Sequence, residues 1–174
     1  MQDITVNSRV FHFQDGWIVT KYDDVPYYRK KLSSELEYKR GLKAVDLIAF
    51  RPADKTLFLI ESKDYRIDPR QKEDPPEKEF VEKVIDTLTG LVPTMLCSPE
   101  ITDDVEKIRE GIRNAERLKL IYQFEQPAKH SKLHPRAFDP ADIQTKLRQE
   151  LRCFDPHVLV IESKNQDKVA WTVN

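Results

Sequence analysis

The chain has 174 residues, 39% hydrophobic and 34% charged, with a net charge of −1. This balance suits one soluble globular domain spanning residues 1–174 and rules out attraction to nucleic acid through overall charge, so any such binding must come from a local patch. No apolar run approaches the ~20 residues of a membrane span, and the opening MQDITVNSRV lacks a signal-peptide pattern, so a cytoplasmic protein without membrane contact is expected.

In chain order, RVFHFQDGWIVTKY alternates enough for one or two short strands, with Asp15-Gly16 as the turn. Pro26 opens PYYRKKLSSELEYKRG, predicted as a helix with Tyr28, Leu32, Glu35 and Leu36 on one stripe and Gly41 as its stop. KAVDLIAFRPADKTLFLIESKDY follows, two β-rich runs around a polar break. After a proline-rich charged loop, EKEFVEKVIDTLTGLV reads as an amphipathic helix packing through Phe80, Val84, Leu88 and Leu91. A second helix around DDVEKIREGIRNAER, the strand LKLIYQF, a helix in DPADIQTKLRQELRCF and the strands HVLVIES and KVAWTV complete an α/β pattern. Cys97 and Cys153 have no CxxC partner, so neither a disulfide framework nor zinc is expected, and both are read as buried free thiols.

The triplet glutamate-any-lysine occurs at Glu37-Lys39, Glu61-Lys63 and Glu162-Lys164, too often in so charged a chain to mean anything alone. Geometry separates the three. If AVDLIAF and LFLIESK form a hairpin around Ala53-Asp54, Phe50 opposes Leu57 and Asp46 opposes Glu61, and facing residues of an antiparallel ladder share one face. Lys63, two residues beyond Glu61, lies on that face too. The opposite face, Val45, Leu47, Ala49, Phe58 and Ile60, is uniformly apolar and predicted as core. For the C-terminal copy the nearest preceding acid is Asp155, seven residues from Glu162 and so ~20 Å or more away along a strand, which makes Glu162 and Lys164 a solvated strand end. Two facing carboxylates repel, and a hard cation between them relieves this; Mg²⁺ fits, with Mn²⁺ as substitute, because it uses one or two carboxylates plus substrate phosphate. A lysine beside such an ion can hold a water or the scissile phosphate.

A helix with an acid, a strand with Asp46, a hairpin, then a strand ending Glu61-Ser62-Lys63 and a following helix resembles the PD-(D/E)XK nuclease superfamily over roughly residues 27 to 92. The resemblance implies a restriction-endonuclease-like mixed β-sheet flanked by α-helices. It implies a metal-dependent deoxyribonuclease, in restriction, repair or phage defence. Asp46 and Glu61 would be metal ligands, Lys63 the catalytic lysine and Glu35 the helical acid. Val45 stands where the motif has proline, and the helix after the motif offers no partner beyond Lys83. DNA is the expected substrate ahead of RNA, with Arg29, Lys30, Lys39 and Arg40 as candidate backbone contacts around Glu35. A double-strand cutter of this size would need a homodimer or a larger assembly to place two sites. The alternative is a catalytically inactive module of the same fold that binds nucleic acid or protein, with Lys63 in an ordinary cross-strand ion pair. His130 and His134 are read as surface or phosphate contacts rather than a zinc site, and Trp17, Tyr27 and Tyr28 as core.

Overall fold

The computed structural model describes residues 1–67, 74–97, 101–127 and 138–174. Among the described residues eight strands form two sheets. A three-stranded antiparallel sheet takes the order β1-β2-β8, from β1 (Gln2–Val6), β2 (Arg9–Phe13) and β8 (Trp171–Val173). A five-stranded mixed sheet takes the order β3-β4-β5-β6-β7, from β3 (Ile18–Lys21), β4 (Leu47–Arg51), β5 (Thr56–Asp64), β6 (Arg117–Glu125) and β7 (Leu159–Ile161). β3, β4 and β5 are antiparallel neighbours, whereas β5, β6 and β7 run parallel. The parallel connections pass through α1 (Pro76–Leu96) and α2 (Asp103–Asn114), then through α3 (Pro140–Glu150), as crossovers between parallel strands require.

Both faces of the large sheet are buried. Ile48, Phe50, Leu57, Leu59, Leu120 and Tyr122 pack with Phe80, Val84 and Leu91 of α1, Val105 and Ile108 of α2, and Ile143 and Leu147 of α3. Leu47, Ala49, Phe58, Ile60 and Ile121 pack instead with Phe11, Phe13, Trp17 and Trp171 of the small-sheet side. The three α-helices therefore lie on one side and the second sheet on the other. The expected core face is core, and so is the face that ends in the carboxylates. Leu88 is only partly buried, and Val45 packs on the helix side.

Several expected local features take another form. The segment RVFHFQDGWIVTKY supplies two strands that part into different sheets at the Asp15-Gly16 turn, where Gly16 has φ of 88°. The predicted helix from Pro26 to Gly41 is only a short π-helical turn, Tyr28–Leu32. Lys39 Nζ donates to the carbonyls of Leu32 at 3.0 Å and Ser34 at 2.5 Å, folding the chain back where a helix would continue. Gly41 is needed there because a Cβ would collide with the Ser33 carbonyl. Cys97 and Cys153 are free but exposed, one just beyond α1 and the other in the turn after α3. Trp17 is buried, and Tyr27 and Tyr28 pack partly buried against the core. Among the described residues no helix is long and apolar enough to cross a membrane.

Candidate active site

The β4–β5 ladder has the register expected from the turn. Phe50 faces Leu57 and Leu47 faces Ile60, so one further step puts Asp46 opposite Glu61. The turn is a 3-10 turn, Pro52–Asp54, closed by Lys55 at φ of 52°. The row Leu57, Leu59, Glu61, Lys63 on β5 runs along the helix-covered face, alternating with Phe58 and Ile60 on the other. Its apolar half is core. Its far end brings a carboxylate and an ammonium under α1.

Asp46 and Glu61 are 6% and 1% exposed. The Ser62 backbone N–H donates to Asp46 Oδ2 at 2.6 Å, which ties the acid before β4 to the middle residue of the Glu61-Ser62-Lys63 triplet. Glu61 Oε1 lies 3.0 Å from Lys63 Nζ and 2.6 Å from Lys83 Nζ of α1, while Oε2 is buried without a hydrogen-bond partner among the described residues. Burial, then the charge of Asp46, push the Glu61 pKa up to about 7 against the pull of Lys83 and Lys63. Burial also raises Asp46, with Lys83, the Ser62 N–H and Lys63 opposing it. Burial works against the Lys63 ammonium, yet Glu61, Asp46 and, at 3.8 Å, Glu79 carry its pKa above the ordinary lysine value. The lysine is held protonated.

The helical acid is not where the sequence pattern puts it. Glu35 is exposed in a non-helical stretch, and no contact ties it to Asp46 or Glu61 among the described residues. A different acid feels the charges of Glu61 and Lys83. Asp23, in the 3-10 turn Tyr22–Asp24 after β3, has its Oδ1 buried without a partner among the described residues. Its pKa is raised by burial, opposed by the lysines at positions 21 and 83, with Glu61 adding to the rise. Sequence reasoning missed Asp23 because it follows a strand end and no periodic pattern marks it. Lys83 carried a faint signal as the lysine flanking the packing stripe of α1.

The four candidate backbone contacts are mostly engaged elsewhere. Arg29 Nε donates to the Asp23 carbonyl at 2.9 Å and its guanidinium pairs with Asp24, so it steadies the turn that carries Asp23. Lys39 holds the carbonyls of Leu32 and Ser34. Arg40 forks onto buried Asp86 of α1 at 2.7 and 2.6 Å. Lys30 is exposed, with no partner among the described residues. His130 and His134, with Lys129, Lys132 and Arg136, lie outside the described residues.

The C-terminal copy is not the solvated strand end expected. Lys164 is exposed, but Glu162 is 5% exposed and accepts from Gln126 Nε2 at 3.1 Å. Its backbone N–H donates to Asn165 Oδ1 at 2.7 Å, capping the 3-10 turn that follows β7. Its Oε2 pairs with Lys164 Nζ at 2.5 Å. Asp155 sits by Leu120 near the start of β6 while Glu162 sits by Gln126 just past its end, about 20 Å apart at the usual rise per residue, so these two acids do not share a site.

Asp46 and Glu61 fit a hard cation in donor type: two buried carboxylates, one with an unpartnered oxygen. Among the described residues no group of three His, Cys, Asp or Glu is close enough to hold an ion alone. Water and substrate oxygen would therefore complete the coordination, the way Mg²⁺ is commonly bound.

No protein-family model matches the chain, and no solved structure matches it. The chain is 27% identical over 172 residues to a cysteine–tRNA ligase of Neisseria meningitidis serogroup A / serotype 4A (strain DSM 15465 / Z2491), a match that covers 82% of this chain. It spans only 24% of that ligase.

Proposed function

We propose that the protein is a metal-dependent nuclease of the PD-(D/E)XK type, hydrolysing phosphodiester bonds in DNA, with a restriction-endonuclease-like arrangement of β3, β4, β5 and α1 around the site. The observation that carries this reading is the buried pair Asp46 and Glu61 with one Glu61 oxygen unpartnered and Lys63 on the same face. An unpaired buried carboxylate oxygen is costly unless something binds there. The order Asp46 entering a strand, hairpin, strand with Glu61-Ser62-Lys63, then helix is also the order of the motif.

Asp46 and Glu61 would hold Mg²⁺ or Mn²⁺. Bound there, the ion supplies neutralisation of phosphate charge and a more acidic water. Lys63, protonated and partly exposed, would position the scissile phosphate or the attacking water through a charge that acts most strongly on the transition state. Ser62 N–H fixes the Asp46 carboxylate, so Glu61 on β5 and Asp46, one residue before β4, are held in place by the ladder. Asp23, which feels Glu61 and Lys83, would add negative charge to the same cluster.

The inactive-module reading draws on a different observation, that Lys63 and Lys83 already neutralise Glu61. The likeness to a tRNA ligase over part of that protein makes tRNA the natural second substrate to test. Purified protein should nick or degrade DNA in Mg²⁺ and lose this in EDTA, and Glu61→Gln should lose it in Mg²⁺. Intact DNA under all conditions, with the protein folded, contradicts the proposal; cleavage of tRNA alone transfers the site to RNA.

A further inference from the structure

α1 buries two stripes. Beside the apolar one, Glu79, Lys83, Asp86 and Thr87 form a polar stripe at helical spacing, and each member reaches the strands or the chain leading into β4. Glu79 lies 3.8 Å from Lys63, and Lys83 2.6 Å from Glu61. Asp86 accepts from the Lys43 N–H at 2.9 Å, and Thr87 Oγ1 accepts from the Val45 N–H at 3.0 Å. Farther along, a Cβ at Gly90 would stand 2.8 Å from Tyr22 Oη and 3.0 Å from Leu32, so a glycine there lets the helix close on the turn that carries Asp23. The helix is thus locked in register with the carboxylates, and Lys83 is delivered to Glu61 by the fold.

One lysine would suffice to neutralise Glu61, and Lys63 at 3.0 Å does so. The second ammonium goes to the same oxygen, Oε1, and leaves Oε2 unpartnered. Two ammoniums crowded on one oxygen beside a bare one make sense where the pocket carries excess negative charge. Asp23, Asp46 and Glu61 provide it, and all three feel Lys83. Resting on the metal-site reading above, we infer that Lys83 is the resident counter-ion of this pocket, occupying the carboxylates when no divalent cation is bound and competing with the cation for them. A dication entering beside this largely covered ammonium is repelled by it, so Lys83 keeps cation affinity low. Lys63, on β5 and more exposed than Lys83, keeps its place beside Glu61.

Mn²⁺ binding to metal-free protein, measured by titration calorimetry and by electron paramagnetic resonance of free Mn²⁺, tests this without any turnover. Lys83→Met keeps the apolar stem, and Lys83→Gln keeps a donor in case Met disturbs folding. Both should bind Mn²⁺ about tenfold or more tightly than wild type, equivalent to ~1.4 kcal/mol. Wild-type binding with equal or weaker binding in both folded variants overturns the counter-ion role and leaves the metal site standing. Absence of binding in wild type and variants alike, at millimolar Mn²⁺, overturns both the inference and the metal site.

Discussion

The chain ends two parallel strands with the same three residues, Glu61-Ser62-Lys63 on β5 and Glu162-Ser163-Lys164 after β7, and the two ends differ in what surrounds them. Both glutamates are buried. Around Glu61 the antiparallel partner β4 supplies Asp46, the turn after β3 brings Asp23, and α1 supplies Lys83. Around Glu162 stand the amide of Gln126, the Lys164 ammonium 2.5 Å from its Oε2 and the cap of a 3-10 turn, while buried Glu125 at the end of β6 accepts from the Ser163 N–H at 2.7 Å, as Asp46 does from Ser62, and pairs with Arg9 at 3.4 Å. The triplet is therefore not the site. Each end has a carboxylate from a neighbouring strand terminus on its serine N–H; what sets the first end apart among the described residues is Lys83 of the covering helix on Glu61, with the charge of Asp23 added.

The largest expected difference between the two ends is in cleavage. Lys63→Ala should lower DNA hydrolysis by about 10²-fold or more, the usual cost of removing one charge-stabilising donor, while Lys164→Ala leaves it unchanged. Equal rates for wild type and Lys63→Ala would point to a contaminating nuclease, and loss in Lys164→Ala would move the chemistry to the second end. Glu162→Ala should cost about 1 kcal/mol of stability through its lost hydrogen bond and leave cleavage intact at temperatures where the variant is folded.

The next effect is thermodynamic and belongs to Glu61. Its pKa rises from the ordinary 4.5 to about 7 in the folded protein. Between those values the folded state keeps a proton that the unfolded chain releases, so stability falls as pH rises through this window, and the loss is complete above about 7. In EDTA, denaturation midpoints of the wild type should decline over that range, with up to ~1.4 kcal/mol per pH unit due to this group. Glu61→Gln should flatten the decline and exceed the wild type in stability at mildly alkaline pH. Parallel curves for the two proteins would contradict the buried, charge-crowded account of Glu61.

Much of this contrast is legible in the sequence, and the remainder is tertiary. The Asp46–Glu61 pairing follows from where the Pro52–Lys55 turn must sit, because antiparallel register is set locally and alternation then assigns the faces. The stripe Phe80, Val84, Leu91 is likewise a local signal. The helix predicted to carry Glu35 fails because Lys39 folds the chain back onto the carbonyls of Leu32 and Ser34 and Gly41 packs on Ser33, contacts that helical periodicity does not encode. Asp23 and Lys83 reach Glu61 from separate elements, so no spacing announces them. The small sheet escapes for the same reason, since β8 pairs with β2 across most of the chain. Glu162 is misread as solvated because its burial depends on Gln126, 36 residues away.

The smallest expected effect concerns the basic residues. Lys30→Gln should lower the slope of DNA affinity against salt by roughly one unit if its ammonium meets a phosphate. Arg40→Gln should lower stability, by removing the fork from buried Asp86, with little change in that slope. The reverse pattern would make Arg40 a nucleic-acid contact.

The central claim is that Asp46 and Glu61 hold a divalent cation, and anomalous scattering from crystals soaked in Mn²⁺ tests it most directly. The account predicts a peak between the two carboxylates, reached by Glu61 Oε2, and its disappearance in Asp46→Asn. No peak there at saturating Mn²⁺, with Lys83 and Lys63 still on Glu61, would contradict it and leave the cluster as a structural ion-pair network.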